Sequence, residues 1–208
     1  MSLSLILSSF RTEVATSLRF ITKSFSQDAA GTYFLTSDEQ SFIVDSAFLR
    51  LFIAWEGFLE NSFIHYILGN PSSTGKSAVR HATPPSEQHA RDMLIGTQKY
   101  VDWANPQIIC KLSKLYLKNG EPIEPTINSI QSDLFDIKTV RNAAAHLTSS
   151  TGRSLDALAS RRLQHTCTNI TVSDFILSQD PAAGASGSIL DGYSQILDVC
   201  AEKIANWA

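Results

Sequence analysis

Apolar residues return every three or four positions through most of the chain. Leu3, Leu7, Phe10, Val14, Leu18, Ile21 and Phe25 trace one face of a first helix, expected to end near Gln27, before DAAGTYF. Ser37 is placed to cap a second helix, with Asp38, Glu39 and Gln40 in a first turn where the helix dipole favours acids. From Phe42 to Leu68 the pattern is apolar on almost every side, which predicts the central helix of a bundle. Further helices are expected from Glu87 to about Trp103, from Gln107 to Lys118 after the Asn105-Pro106 break, and from about Thr126 to His146 after Pro122 and Pro125. Ser154 to about Cys167 reads as a helix with Leu155, Leu158 and Leu163 inward and Arg161 and Arg162 outward. Thr171 to Leu177 fits a short capped helix or a single strand. Ile189, Tyr193, Ile196, Leu197, Cys200, Ile204 and Trp207 line one face of a last helix. Loops are expected over 181–188 and over about 70–86, the latter rich in Pro, Ser, Thr and Gly and therefore mobile. The pattern predicts an all-α chain: one domain over 1–208, an up-and-down helical bundle with additional short helices.

Within this frame the stretch Asp136 to Leu147, DIKTVRNAAAHL, combines packing with chemistry. At about 100° per residue, Ile137, Val140, Ala144 and Leu147 form one apolar stripe, and Asn142 and His146 point to the opposite side. Arg141 projects to the flank, about 140° from His146 on the same wheel, with a side chain long enough to curl toward it. A guanidinium binds phosphate oxygens bidentately, and an imidazole moves protons near neutral pH. RNA carries its own nucleophile, the 2′-hydroxyl, so such a pair needs no metal. Alternatively, Arg141 and His146 are simply exposed on a solvated helix face.

Composition narrows the function further. Of 208 residues, 43% are apolar and 18% charged, below the usual quarter charged, which suggests apolar surface reserved for a second subunit. The net charge of −3 means that contact with nucleic acid relies on local patches. Lys138, Arg141, Arg153, Arg161 and Arg162 form one such group, opposed between Lys138 and His165 by Asp156 alone. Lys111, Lys114 and Lys118 form another, or a solvated helix face. His165 beside Arg161 and Arg162 would extend an RNA-binding surface. Cys110, Cys167 and Cys200 lack C-x-x-C spacing and read as reduced thiols of a cytosolic protein. The start, MSLSLILSSF, lacks a basic region and a cleavage site. Asp45, Arg50 and Glu56 interrupt the best candidate for a membrane span, so no membrane is expected.

Other motifs are set aside on chemistry. Glu56 and Glu60, four apart, share a helix face, but His65 does not complete the Glu-x-x-His spacing of a di-iron site; an interface-lining or solvated pair is expected. GNPSSTGKS has five residues between Gly69 and Gly75 where a phosphate-binding loop needs four, and it follows a helix. His65, His81 and His89 lack partners at metal-ligand spacing. Trp55 and Trp207 are read as core. No cofactor is expected.

The R-N-x3-H of Arg141, Asn142 and His146 on the penultimate core helix, after the AWEGFLE segment Ala54 to Glu60, resembles the HEPN superfamily, in particular its RiboL-PSP-like and toxin-like branches. The resemblance covers about residues 40 to 150. It implies a metal-independent ribonuclease in which the Arg and His of two protomers meet across a homodimer interface and cut RNA to a 2′,3′-cyclic phosphate and a 5′-hydroxyl. Arg141 would stabilise charge on the scissile phosphate, His146 would be the general acid or base, and Asn142 would orient the phosphate or the His. Glu56 could hold Arg141 in place. Lys138, Arg153, Arg161 and Arg162 would contact RNA, and the segment Thr148 to Gly152 would wall the substrate cleft. A toxin or defence role in the cytoplasm, with an antitoxin or other regulatory protein as partner, is implied too. Some family members carry a modified Tyr two residues after the His; Thr148 stands there, which departs from control by that route. Two alternatives remain: a non-catalytic HEPN module binding RNA, a nucleotide or a protein, and an unrelated helical adaptor.

Overall fold

The amphipathic periods become nine helices in a computed structural model that describes residues 1–146, 148–182 and 187–208. They are α1 (Leu3–Ser24), α2 (Ser37–Ile67), α3 (Glu87–Ile95), α4 (Pro106–Tyr116), α5 (Ile123–Ser129), α6 (Gln131–Ala145), α7 (Ser149–Leu163), α8 (Val172–Leu177) and α9 (Ile189–Ala205), with a 3-10 turn at Lys118–Gly120. Among the described residues there is no β-strand, only isolated bridges such as Gln27 with Tyr33. The chain is all-α. No helix among the described residues is long and apolar enough to cross a membrane.

Local chemistry sets the helix ends. Ser86 caps α3 by accepting the His89 N–H, and Asn105 caps α4 by accepting the Gln107 N–H ahead of Pro106. α3 stops at Ile95, short of the expected Trp103, because Gly96 turns to φ 57° and its N–H closes on the Asp92 carbonyl. The helix expected from Thr126 to His146 is two helices. Ser129 Oγ donates to the Thr126 carbonyl at 2.7 Å, the Ile130 N–H reaches back only three residues to Ile127, and α6 starts afresh at Gln131.

α7 begins five residues earlier than expected. Thr148 and Thr151 form a capping box, each side-chain oxygen accepting the other's backbone N–H, so the polar run read as a loop is a helix start. Thr171 caps α8 through the Asp174 N–H, which settles 171–177 as a helix. Of the loop expected over 181–188, residues 183–186 lie outside the described residues, as does Leu147 of the expected stripe on α6.

By their contacts the residues gather into two compact units. The first comprises Met1–Arg11, Trp55–Phe135 and Ile196–Ala208. Its core includes Trp55 and Phe58, ring centroids 5.8 Å apart, with Phe10 tilted against both. Phe63 meets Trp103, and Tyr66 meets the Trp207 ring edge-on while its hydroxyl donates to the Ile204 carbonyl at 2.6 Å. All three tryptophans of the chain stand in this unit. Residues 72–76, within the stretch expected to be mobile, form a turn bonded to the C-terminal residues: the Ser73 N–H donates to the Ala205 carbonyl, and the Lys76 ammonium lies 4.0 Å from the Trp207 ring centroid. Gly69, at φ 86°, accommodates the Arg80 guanidinium where a Cβ would clash at 2.5 Å.

The second unit comprises Thr12–Ala54 and Asp136–Gln195. Val44, Phe48, Leu51 and Phe52 of α2, Ile137, Val140 and Ala143 of α6, Leu155 and Leu158 of α7, Phe175 and Ile176 of α8, and Tyr193 of α9 are buried there. On α6 the buried apolar positions fall at Leu134, Ile137, Val140 and Ala143. Three-residue steps therefore put Ala143 rather than the expected Ala144 inside.

Candidate functional site

The three motif residues stand at the C-terminal end of α6 and just beyond it. Arg141 and Asn142 are half-buried in its last turn, and Arg141 Nη1 donates to Asn142 Oδ1 at 3.2 Å. His146 is exposed and lies past the last helical residue, its N–H still bonded to the Asn142 carbonyl at 3.0 Å. Its own carbonyl accepts from the Thr148 N–H and from the Thr151 hydroxyl. The His146 backbone is thus fixed between the end of α6 and the cap of α7, leaving its ring in solvent. Arg141 and Asn142 are brought together, and His146 is tied to Asn142 through the main chain.

The remaining candidates divide. Arg153 is exposed on the first turns of α7, and Lys138 is half-buried on α6. Arg161 donates to Asp136. Arg162 was expected to point outward, but its side chain is only 20% exposed: it lies over the Tyr193 ring and donates at 2.8 Å to Asp180, itself 5% exposed. A carboxylate that deeply placed requires a cation, and Arg162 turns inward to supply it. The charges of Arg161 and Arg162 are therefore largely neutralised within the fold, and Arg153 is the more available of this group. In the second basic group Lys114 pairs with Glu124 at 3.0 Å. Glu56 is half-buried on α2 in the first unit, whereas Arg141 stands on α6 in the second. Its neighbour Glu60 binds Arg91.

A cavity of about 610 Å³ opens in the second unit. Its walls come from the α7 cap (Thr148, Thr151, Arg153), from Ala143 on α6, from Ser41 and Asp45 on α2, and from Asn169 to Ser173. Thr148, Ser149, Thr151 and Gly152 thus do wall a cleft; Arg141, Asn142 and His146 are themselves not among the lining residues. Asp45 lies in the cavity wall. The Ser173 N–H donates to its carboxylate, but burial, with the charge of Asp174 adding, pushes its pKa up to about 6. Its Oδ1 is buried and has no hydrogen-bond partner among the described residues.

In the sequence Asp45 is legible only as an interruption of an apolar run. The signal that marks it is its setting: a lone carboxylate between Val44 and Ala47-Phe48, all buried. Among the thiols, burial pushes Cys110 up to about 11 and Cys200 up to about 12, so both remain protonated and weakly nucleophilic at neutral pH. Among the described residues no group of three His, Cys, Asp or Glu is placed to hold a metal ion. No family model matches the chain, and neither a curated protein nor a solved structure does.

Proposed function

We propose that the chain is a metal-independent endoribonuclease of the HEPN type, acting as a homodimer. The observation that carries this reading is the end of α6: an exposed His146 ring directly beyond a half-buried Arg141–Asn142 pair, with a cavity walled by the segment that follows. In the proposed reaction the RNA 2′-oxygen attacks the adjacent phosphorus while His146 serves as general base or acid. The P–O2′ bond forms, the P–O5′ bond breaks, the 2′-hydroxyl gives up its proton and the departing 5′-oxygen takes one. The products are a 2′,3′-cyclic phosphate and a 5′-hydroxyl. Arg141 would neutralise charge on the phosphate oxygens, and Asn142, bonded to Arg141, would hold that guanidinium in line.

Pairing of two copies is supported by Phe42 and Ile53, which are 73% and 63% exposed. Eleven residues apart, they fall on one face of α2, where two large apolar side chains meet solvent unless a second copy covers them. A toxin or defence role in the cytoplasm, and an antitoxin or other regulatory protein, rest on the family resemblance alone. A second reading, a non-catalytic HEPN module that binds RNA, a nucleotide or a protein partner, is favoured by the neutralisation of Arg161 and Arg162 in a chain of net charge −3, which weakens the case for an RNA-cutting surface.

The test is cleavage of total cellular RNA in excess EDTA by wild type and His146→Ala, with product ends mapped. Cuts ending in a cyclic phosphate, made by wild type and lost in the variant, are the expected outcome. His146→Ala should change stability by only about 0.5 kcal/mol, as for other exposed positions. Equal cutting by both proteins, or none by either, removes the catalytic assignment.

A further inference from the structure

We propose that the cavity between the α7 cap and Asp45 is a base-binding pocket that accepts guanine, placed on the nucleotide beside the phosphate that His146 would cleave. The placement rests on the ribonuclease reading; the pocket's chemistry stands on its own geometry. Its volume, about 610 Å³, falls within the usual range of small-ligand sites. Ala143, Leu155, Ile170 and Val172 give it apolar wall suited to a flat ring.

Specificity comes from Asp45. An ionised carboxylate only accepts hydrogen bonds, and the Ser173 N–H already holds this one in place. Oδ1 is unpartnered, and the terminal torsion of Asp is soft enough to turn an oxygen toward the cavity. The other acid in the wall, Asp156, already accepts the Ile170 N–H at 3.0 Å. Guanine is the base that sets two N–H donors, N1–H and the 2-amino group, side by side for one carboxylate. Adenine and cytosine place an acceptor beside their amino group, and uracil flanks its single N–H with carbonyls.

Location joins the pocket to the motif. Thr148 and Thr151, both in its wall, bind the His146 carbonyl, and Ala143 precedes His146 by one helical turn. A base held here has its sugar-phosphate within the same short segment as the imidazole. Arg153, exposed in the same wall, is placed for a neighbouring phosphate.

The experiment is calorimetric titration at pH 7.5 with guanosine, inosine and adenosine 3′-monophosphates, using wild type, His146→Ala and Asp45→Asn, each checked for helix content and melting. Inosine lacks only the 2-amino group. Wild type and His146→Ala should bind the guanosine nucleotide about tenfold or more tightly than the inosine nucleotide, the effect of one hydrogen bond to a charged group. Asp45→Asn should fold and lose that preference. Equal affinity for all three nucleotides, a preference that survives Asp45→Asn, or Asp45-dependent binding of putrescine with no nucleotide binding overturns the proposal. The two readings fail separately. RNA cutting without guanine beside the cut leaves the nuclease and removes the pocket, and guanine-selective binding without cutting leaves the pocket and removes the nuclease.

Discussion

A carboxylate set into an apolar helix face with one oxygen unpaired lowers stability unless a ligand uses it, and Asp45 is such a group. Its pKa of about 6 in the fold lies above the usual Asp value of 3.8, so the folded chain holds this proton more tightly than the unfolded chain does. Stability therefore falls as pH rises from about 4 to about 6 and stays reduced above it. The full shift corresponds to roughly 3 kcal/mol; for a half-buried group, solvent screening brings this to about 1–2 kcal/mol. Asp45→Asn should accordingly be more stable than wild type by about that amount at pH 7.5 and nearly equal to it at pH 4, as read from urea unfolding at both pH values. A loss of stability at pH 7.5 would mean that the carboxylate has a stabilising partner in the fold. The residues legible in the sequence were those marked by identity and spacing, Arg141, Asn142 and His146. Asp45 was not, because its burial and its neighbours Ser173 and Asp174, more than a hundred positions away, come together only in the fold.

Helix α7 shows how an element can be both well anticipated and misjudged. Of its expected inward positions, Leu155 and Leu158 are buried as the 3.6-residue period requires, while Leu163, in the last turn, is only half-buried. Its start was hidden because Thr151 occupies the place where a capping box usually shows Glu or Gln. The division of α5 from α6 was hidden for a related reason: Ser129 breaks the helix through its own hydroxyl, without a Pro or Gly to announce it. Arg162 links α7 to the turn after α8 through Asp180, and its role is a matter of element packing. Arg162→Ala should cost about 2–3 kcal/mol, since it leaves a nearly buried carboxylate without its cation, whereas Arg153→Ala should stay within about 0.5 kcal/mol. Thermal melts of the two variants decide this. If they match, the Arg162–Asp180 pair is not holding the element. The same contrast makes Arg153 the cleaner probe of RNA contact, because loss of binding there would not be confounded by loss of structure.

For the whole molecule, the all-α class was legible because most long segments carry the helical period and the apolar run from Phe42 to Leu68 is too long for a strand. The division into two units was not, because its boundaries fall inside α1, α2, α6 and α9, where neither composition nor turn residues change. Apolar surface left in solvent bears on assembly. The double variant Phe42→Asp, Ile53→Asp should shift the protein from dimer to monomer in sedimentation velocity while keeping its helix content, and RNA cutting should fall at least about tenfold if the site needs two copies. A monomeric wild type, or a monomeric variant that cuts normally, would remove the composite site. The placement of Trp55, Trp103 and Trp207 has an optical consequence. With all three indoles in one unit, emission excited at the red edge of the absorption band reports on that unit, while Asp45, His146 and the cavity lie in the dark half of the chain. Agreement between an emission curve and a far-ultraviolet dichroism curve would then carry unusual weight as evidence for a single cooperative transition, because the dichroism also samples the helices of the unit that the emission does not report.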